Sequence, residues 1–385
     1  MKSIPFNKPF LTGKETEYIE QAVKTGKLSG NGAFTQKCQQ WYKEKYGFKK
    51  TLLTTSCTDA LEMCAMLAEI KPGDEVIVPS YTFVSTALAF VREGAKIIFA
   101  DSYSDNPNID ADKVEGLITP RTKAIVPVHY AGVACDMQKL RELADKYSIL
   151  LIEDAAQAVD SHYYSSNGEK VALGTIGELS AFSFHETKNI IAGEGGLLGI
   201  NNDKFFRRSE IIWEKGTNRA EFFRGEVNKY GWVDSGSSFL PSEVIAAFLW
   251  AQFESMDDIQ SRRKAIWERY YNNLEHLSKE GYIKMPTIPP YAENNAHMFY
   301  IVCNSLNERS SLINFLKGNN ILAVSHYLSL YKSEFYKSQY KGEELPNSDM
   351  FADNLLRLPL YYELTDAQVD FISENIIYFF NNKKC

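Results

Sequence analysis

Ser180-Ala-Phe-Ser-Phe-His-Glu-Thr-Lys188-Asn-Ile-Ile-Ala-Gly-Glu-Gly-Gly196 is the stretch from which the rest of the chain can be read. Leu179 to Phe184 is a short apolar run with the length and bulk of a buried strand, and Gly193, Gly195 and Gly196 mark a turn. Lys188 lies between them, where a strand end would present it. Upstream, Leu150-Leu-Ile-Glu-Asp154-Ala-Ala-Gln157 repeats the buried-strand pattern and ends in a carboxylate.

Similar runs with β-branched or aromatic character predict further strands at Thr51–Thr55, Glu75–Pro79, Lys96–Ala100, Ala124–Val128, Ile149–Glu153 and Gly196–Ile200. Helical spacing separates several of them. Thr58–Glu69 places Leu61, Ala65 and Ala68 on one face, and Met137–Tyr147 places Leu140, Leu143, Ala144 and Tyr147 together. Strands alternating with helices imply an α/β domain whose sheet is mainly parallel and flanked by helices. Ligands of such sheets bind beyond the carboxyl ends of the strands, where Thr55, Asp154 and Phe184 fall. A long amphipathic helix follows over Asp257–Glu280, with Ile259, Ile266, Tyr270, Leu274 and Leu277 in its apolar stripe and Gly281 as its stop. Beyond a break at Pro286, Pro289 and Pro290 come a strand Met298–Val302, a helix Glu308–Leu316 and a final helix Asp366–Phe379. We read residues 1–255 as a large domain, its first ~25 residues free to pack elsewhere, and 256–385 as a smaller C-terminal α+β domain.

The bulk properties narrow the function. At 385 residues, 44% hydrophobic and 24% charged, the chain can bury a large core. A net charge of −7 without a basic block argues against a nucleic-acid partner. The six cysteines form no CxxC pair and have neither disulfide-framework nor zinc-site spacing, so no metal is expected. With no signal peptide and no apolar run near about 18 residues, the chain reads as cytoplasmic and free of the membrane.

Six places could carry chemistry, and each also has an ordinary structural reading. In Leu52-Leu-Thr-Thr-Ser56-Cys57-Thr58-Asp59-Ala60-Leu61 a strand runs into a helix start, whose free N–H groups suit a phosphate; the alternative is a simple cap made by Thr58 or Asp59. Asp154 with Gln157 could be a solvated turn. The carboxylate could equally hold the proton of a pyridine nitrogen, with Lys188 as a Schiff-base lysine, the pair required by pyridoxal 5'-phosphate (PLP). Tyr81 could stack on a cofactor ring or belong to the core. His129 reads as a structural hydrogen-bonder. The basic, aromatic segment from Lys215 through Arg219, Phe222, Lys229 and Tyr230 to Ser238 is long enough for a binding loop. Ser325-His326-Tyr327 reads first as a strand end. No GxGxxG or GxxxxGK[ST] pattern is present.

Taken in order, Thr54–Ala60, Glu75–Phe83, Pro127–Gly132, Glu153–Gln157 and Ser183–Asn189 resemble the DegT/StrS family of PLP-dependent sugar-nucleotide aminotransferases. The resemblance covers nearly the whole chain. It implies the type I aminotransferase fold and a homodimer with active sites at the subunit interface. Carried over, it makes Lys188 the Schiff-base lysine and Asp154 the partner of the pyridine nitrogen. Gln157 would lie by the ring and Tyr81 would stack on it. Thr58, Asp59 and Ser183, with the backbone at Cys57, would hold the phosphate. His185, Arg219, Tyr230, His326 and Tyr327 would contact substrate or donor. Lys24–Gly32, Pro127–Asp136, Glu214–Arg219, Phe222–Gly225 and Asn295–Tyr300 are similar to those members that aminate C4 of a TDP-linked keto sugar, TDP-4-keto-6-deoxyglucose, with L-glutamate as donor, for surface polysaccharide synthesis. Most members carry Gly-x-Asn-x-Arg-Met where this chain has Gly236-Ser-Ser-Phe-Leu-Pro241, so Ser238 stands where an Asn reaches the partner subunit's phosphate. The alternatives are a C3 keto sugar, a UDP-linked sugar, or a silent scaffold. Dehydratase relatives replace the lysine by histidine, and Lys188 argues against them.

Overall fold

The computed structural model describes residues 3–382; Cys385 lies outside them. The first part of the chain forms strands β1 (Lys50–Thr54), β2 (Glu75–Pro79), β3 (Lys96–Ala100), β4 (Thr122–Ile125) and β5 (Leu150–Asp154). A small hairpin, β6 (His162–Tyr164) with β7 (Lys170–Ala172), then precedes β8 (Leu179–Ser183) and β9 (Gly196–Ile200). The order β1-β9-β8-β5-β4-β2-β3 makes one seven-stranded sheet. Its strands are parallel except β9, which runs antiparallel to β1 and β8. The expected mainly parallel sheet is therefore present.

The strands read as near-continuous apolar runs because both faces are covered. Adjacent residues go to opposite sides. Leu53, Ile77, Ile125, Leu151, Phe182 and Leu197 pack into one core with the helices Ala33–Tyr46, Met137–Tyr147 and Glu243–Glu254. Leu52, Val76, Ala124, Ile152, Ala181 and Leu198 pack into another with Cys57–Leu67 and Val84–Arg92. Period-two alternation thus survives inside apolar runs, as neighbours divide between two cores.

The C-terminal part holds a second, antiparallel sheet in the order β10 (Ile283–Lys284), β11 (Phe299–Cys303), β13 (Leu355–Leu358), β12 (Val324–Ser325). The helices Met256–Lys279, Leu306–Gly318 and Asp366–Asn381 cover it through a third core that includes Tyr270, Leu274, Phe299, Leu316, Leu356 and Ile372. The chain's start touches both parts. Ile4 bridges to Ile321 and joins the third core. Further on, Gln252 donates to Glu15 (2.8 Å) and Tyr18 donates to Glu254 (2.7 Å), which pins the helix Glu15–Lys24 to Glu243–Glu254.

Three details differ from the sequence expectations. The strand expected to run to Val128 ends at Ile125, because Pro127 has no N–H to give the ladder; Val128 returns as a single bridge to Asp154. The helix after β1 is capped by Ser56, whose Oγ accepts from Asp59 N at 3.1 Å, and not by Thr58 or Asp59. The long segment after Lys215 is folded: it holds a short helix, Arg219–Phe223, and is closed by the bridges Glu214–Ser238 and Thr217–Trp232.

A β-carbon on Gly196 would collide with the main chain at Ser56 and Cys57, so only glycine lets β9 lie against the start of the capped helix. Gly196→Ala is expected to destabilise the protein by about 1–3 kcal/mol. Thermal unfolding should show this loss, while Gly116→Ala, with open space around it, leaves Tm near wild type.

Candidate active site

A cavity of about 500 Å³ opens where the sheet's carboxyl ends meet the second sheet. Lys188 reaches it from the turn after β8. That turn is held by Lys188 N donating to His185 O (2.9 Å), Glu186 N to Gly193 O (2.9 Å) and Ala192 N to Phe184 O (2.7 Å). Burial pushes the Lys188 ammonium below its usual range and the Arg357 charge adds to this, while Cys57 and Asp154 oppose it. Asp154 enters from the end of β5, set between Val128 and Ala181. Its carboxylate accepts from Thr86 Oγ1 at 2.7 Å and from Ala156 N at 3.1 Å. Burial still holds it above the ordinary carboxylate range.

Around this pair lie the groups of a phosphate cradle. Ser56, Cys57, Thr58 and Ser183 line the cavity, and the hydroxyls of Thr58 and Ser85 are 2.8 Å apart. The N–H groups of Cys57 and Thr58 precede the first internal bond of the helix, from Ala60 N to Ser56 O. Asp59 does not line the cavity; its carboxylate takes the Thr55 hydroxyl. Gln157 spans the floor: Oε1 accepts from Ala131 N (2.6 Å), and Nε2 donates to the Tyr327 hydroxyl (3.2 Å).

The remaining expected residues divide. His326 and Tyr327 line the cavity with their rings stacked at 3.5 Å, and Tyr130 lies 2.7 Å from His326 Nδ1. His185 sits at the rim, its Nδ1 2.9 Å from Thr187 Oγ1. Tyr81 is buried behind the wall, because its ring packs into the cluster of Tyr130, Tyr327 and Phe351, and its hydroxyl donates to His326 O at 2.8 Å. Phe83, two residues on, does line the cavity, 54% exposed and with its ring 6.0 Å from that of Tyr327. Arg219, Tyr230 and Ser238 are not brought to this chain's cavity. Arg219 pairs with Glu214 (3.4 Å) and lies over Phe223, Tyr230 rests against Phe222, and Ser238 is bridged to Glu214.

Sequence reading passed over Thr86, His297 and Arg357. Thr86 carries no local signal. His297 lies within Asn295–Tyr300, a stretch whose resemblance assigns it no role. Asn189 spends its amide donors on Gln260 Oε1 (2.8 Å) and Asn295 O (2.9 Å), so its Oδ1 accepts from His297 Nδ1–H (2.9 Å). That leaves His297 Nε2 as a bare acceptor on a cavity-lining ring. Arg357 did have a signal, a cation in the apolar run Leu355-Leu-Arg-Leu358. His129 is structural, as expected: Cys135 N donates to its Nδ1 (3.2 Å), and its Nε2–H meets Glu153 at 2.9 Å.

The donor set fits PLP. A half-buried lysine, a buried carboxylate and a hydroxyl-lined helix start share one cavity with polar groups from both sheets. The same burial has a pH consequence. It holds His297 and His326 well below the ordinary histidine value of 6.5, so both are neutral when folded. Unfolded histidines bind protons below about 6.5 while these do not, so their contribution to stability is complete above that pH and lost as pH falls. Tm should decline from pH 7 to 5, and His297→Asn, which keeps a donor for Asn189, should flatten the decline in a calorimetric pH series.

The family model of DegT/DnrJ/EryC1/StrS aminotransferases matches residues 9–377. The spore coat polysaccharide biosynthesis protein SpsC of Bacillus subtilis is 31% identical over 97% of this chain and 96% of that protein. Among solved structures, Spr1654 of Streptococcus pneumoniae in its PLP-form superposes with a TM-score of 0.90 at 25% identity, covering 99% of both chains. The aminotransferase TlmJ of Streptoalloteichus hindustanus does so at 0.89 and 25%, over 99% of this chain and 100% of that one. This chain belongs to the DegT/DnrJ/EryC1/StrS aminotransferase family.

Proposed function

We propose that the protein moves an amino group from L-glutamate to C4 of TDP-4-keto-6-deoxy-D-glucose, giving TDP-4-amino-4,6-dideoxy-D-galactose and 2-oxoglutarate, for bacterial surface polysaccharide synthesis. The observation that carries the chemistry is the convergence of Lys188 and Asp154 on one cavity beside an open helix start. Support for the sugar comes from Lys24–Gly32, Glu214–Arg219 and Asn295–Tyr300, which are similar to members of that specificity, and from SpsC, a relative named for polysaccharide synthesis.

Bound PLP supplies an electron sink for the negative charge left when a carbon loses its proton. The chain's residues do the rest. Thr58, Ser183, Ser85 and the N–H groups at Cys57 and Thr58 hold the phosphate. Asp59 steadies that start through Thr55. Asp154, held high by burial, needs a cation to restore its ionisation, and a protonated ring nitrogen is such a cation. Thr86 and Ala156 N aim the carboxylate, and Gln157 keeps Tyr327 at the cavity edge. Lys188 would hold the cofactor covalently. Burial lowers the proton affinity of its amine, which favours the free base that would take a proton from the donor's α-carbon and, in the second half, deliver one to C4 of the sugar. His185, His326 and Tyr327 contact substrate, and Tyr81 braces His326 from behind.

Arg219, Tyr230 and Ser238 serve a second copy's cavity in a homodimer. This is supported by their absence from the lining of their own cavity and by the exposure of Phe223 (69%) and Trp232 (86%) in the same segment. The enzyme works in the cytoplasm, with residues 1–255 as the PLP-binding domain and 256–385 as the smaller one. Among the described residues no helix is long and apolar enough to cross a membrane, and no His, Cys, Asp and Glu group could hold a metal.

Borohydride reduction of the PLP-loaded protein should label Lys188, and Lys188→Ala should abolish the label and the visible absorbance of the covalent link. Incubation with glutamate and TDP-4-keto-6-deoxyglucose should give an axial C4 amine by NMR of the sugar. A C3 amine, an equatorial C4 amine or turnover of only a UDP-linked sugar would refute the substrate assignment.

A further inference from the structure

Arg357 lies in the middle of β13, paired through its backbone with Tyr300 on β11 and Val324 on β12. Its side chain leaves the second sheet for the cavity wall. There its Nε is sealed from solvent with no hydrogen-bond partner. The guanidinium makes no hydrogen bond or ion pair among the described residues, and its one close charge–ring contact is with Phe6 at 4.6 Å. It is near enough to Lys188, His297 and His326 for its charge to disfavour their protonation. A half-buried guanidinium whose Nε is sealed from water and has no anion is unfavourable, and its planar fork matches a carboxylate.

Among the described residues of one subunit, none supplies that anion. Two carboxylates line the cavity, Asp154 and Glu194. Asp154 is engaged by Thr86 and Ala156. Glu194 stands at the open rim with a 67% exposed side chain, 3.7 Å from His185. The cofactor's phosphate has its own cradle at the helix start, whereas Arg357 belongs to the other sheet, with His326 and Tyr327. The anion that Arg357 awaits is therefore carried by a substrate, and of the two substrates the amino-acid donor is the one that must place a carboxylate beside its reacting carbon.

We infer that Arg357 seats the carboxylate of the amino-acid donor next to Lys188 and so determines donor binding in the first half of the reaction. This rests on the aminotransferase reading above. The two halves can be followed separately by cofactor absorbance in the loaded enzyme, with L-glutamate added to the PLP form and TDP-4-keto-6-deoxyglucose to the pyridoxamine form. Arg357→Gln should raise the half-saturating glutamate concentration by roughly 30-fold or more, as expected for loss of one partner of a buried charged pair. Arg357→Lys, which keeps the charge but not the fork, should raise it by about tenfold. The half-saturating sugar concentration should stay within about threefold of wild type in both variants. Glutarate, an unreactive dicarboxylate, should bind the wild-type holoenzyme by calorimetry and not Arg357→Gln. Retained cofactor absorbance reports folding.

An unchanged glutamate dependence together with unchanged glutarate binding would overturn the inference and leave the aminotransferase reading standing. A shift in the sugar half as large as in the glutamate half would overturn it too, assigning the guanidinium to the nucleotide's diphosphate. Failure of the wild type to act on this sugar would refute the substrate assignment, and the glutamate and glutarate measurements would still decide the role of Arg357.

Discussion

Glu153 is the carboxylate on which the site's framework depends. It is fully buried on the face of β5 opposite Asp154. Its two oxygens accept from Gly174 N (2.7 Å), Ile176 N (2.8 Å), Gly177 N (2.6 Å) and His129 Nε2 (2.9 Å). One side chain thereby fixes the turn that feeds β8 and the histidine that closes the chain after β4. Gly177 must be a glycine here, since a β-carbon would meet the Leu151 carbonyl at 2.5 Å. With both flanking segments held from below, the end of β5 has a set height and Asp154 projects from it into the cavity. Strand alternation puts a structural acid and a cavity acid next to each other in sequence and on opposite faces in space.

A second network joins Lys188's turn to the C-terminal part. Asn189, its neighbour, bonds Gln260, Asn295 O and His297. Asn295 in turn donates to Gln157 O (2.8 Å) and Val159 O (2.9 Å). Arg263 closes the group from the long helix, donating to Ala296 O (3.2 Å) and His297 O (2.7 Å), and burial pulls its guanidinium down to about 9. Nearly every member is buried and polar, and matched donors and acceptors hold the network rigid, with His297 Nε2 left open on the cavity side. The position of Lys188 relative to His297 and Arg357 is therefore set by many short bonds across two sheets, with little dependence on the flexible lysine stem.

The fold class was legible in the sequence because apolar runs of strand length alternate with amphipathic helices such as Met137–Tyr147. Boundaries drifted where proline or a serine cap intervened, at Pro127 and Ser56, since these act on the backbone and leave hydrophobic periodicity unchanged. The antiparallel direction of β9 was not legible: an apolar strand buried on both faces looks alike either way round.

By itself the sequence determined which residues could carry the chemistry, a lysine before a glycine-rich turn, an acid at a strand end and a hydroxyl-rich helix start, because each belongs to a local element that short-range propensity dictates. Only the tertiary structure decided which of them meet. It gathered Lys188, Asp154, Thr58, Gln157, Ser183, His326 and Tyr327 around one cavity, set Tyr81 behind its wall and kept Arg219, Tyr230 and Ser238 away from it. It also brought in Thr86, His297 and Arg357, whose partners lie far off in the chain. Burial supplied what no local pattern records: the lowered proton affinity of Lys188, the raised one of Asp154 and the unpaired charge of Arg357, all consequences of removing water from groups that distant strands hold together.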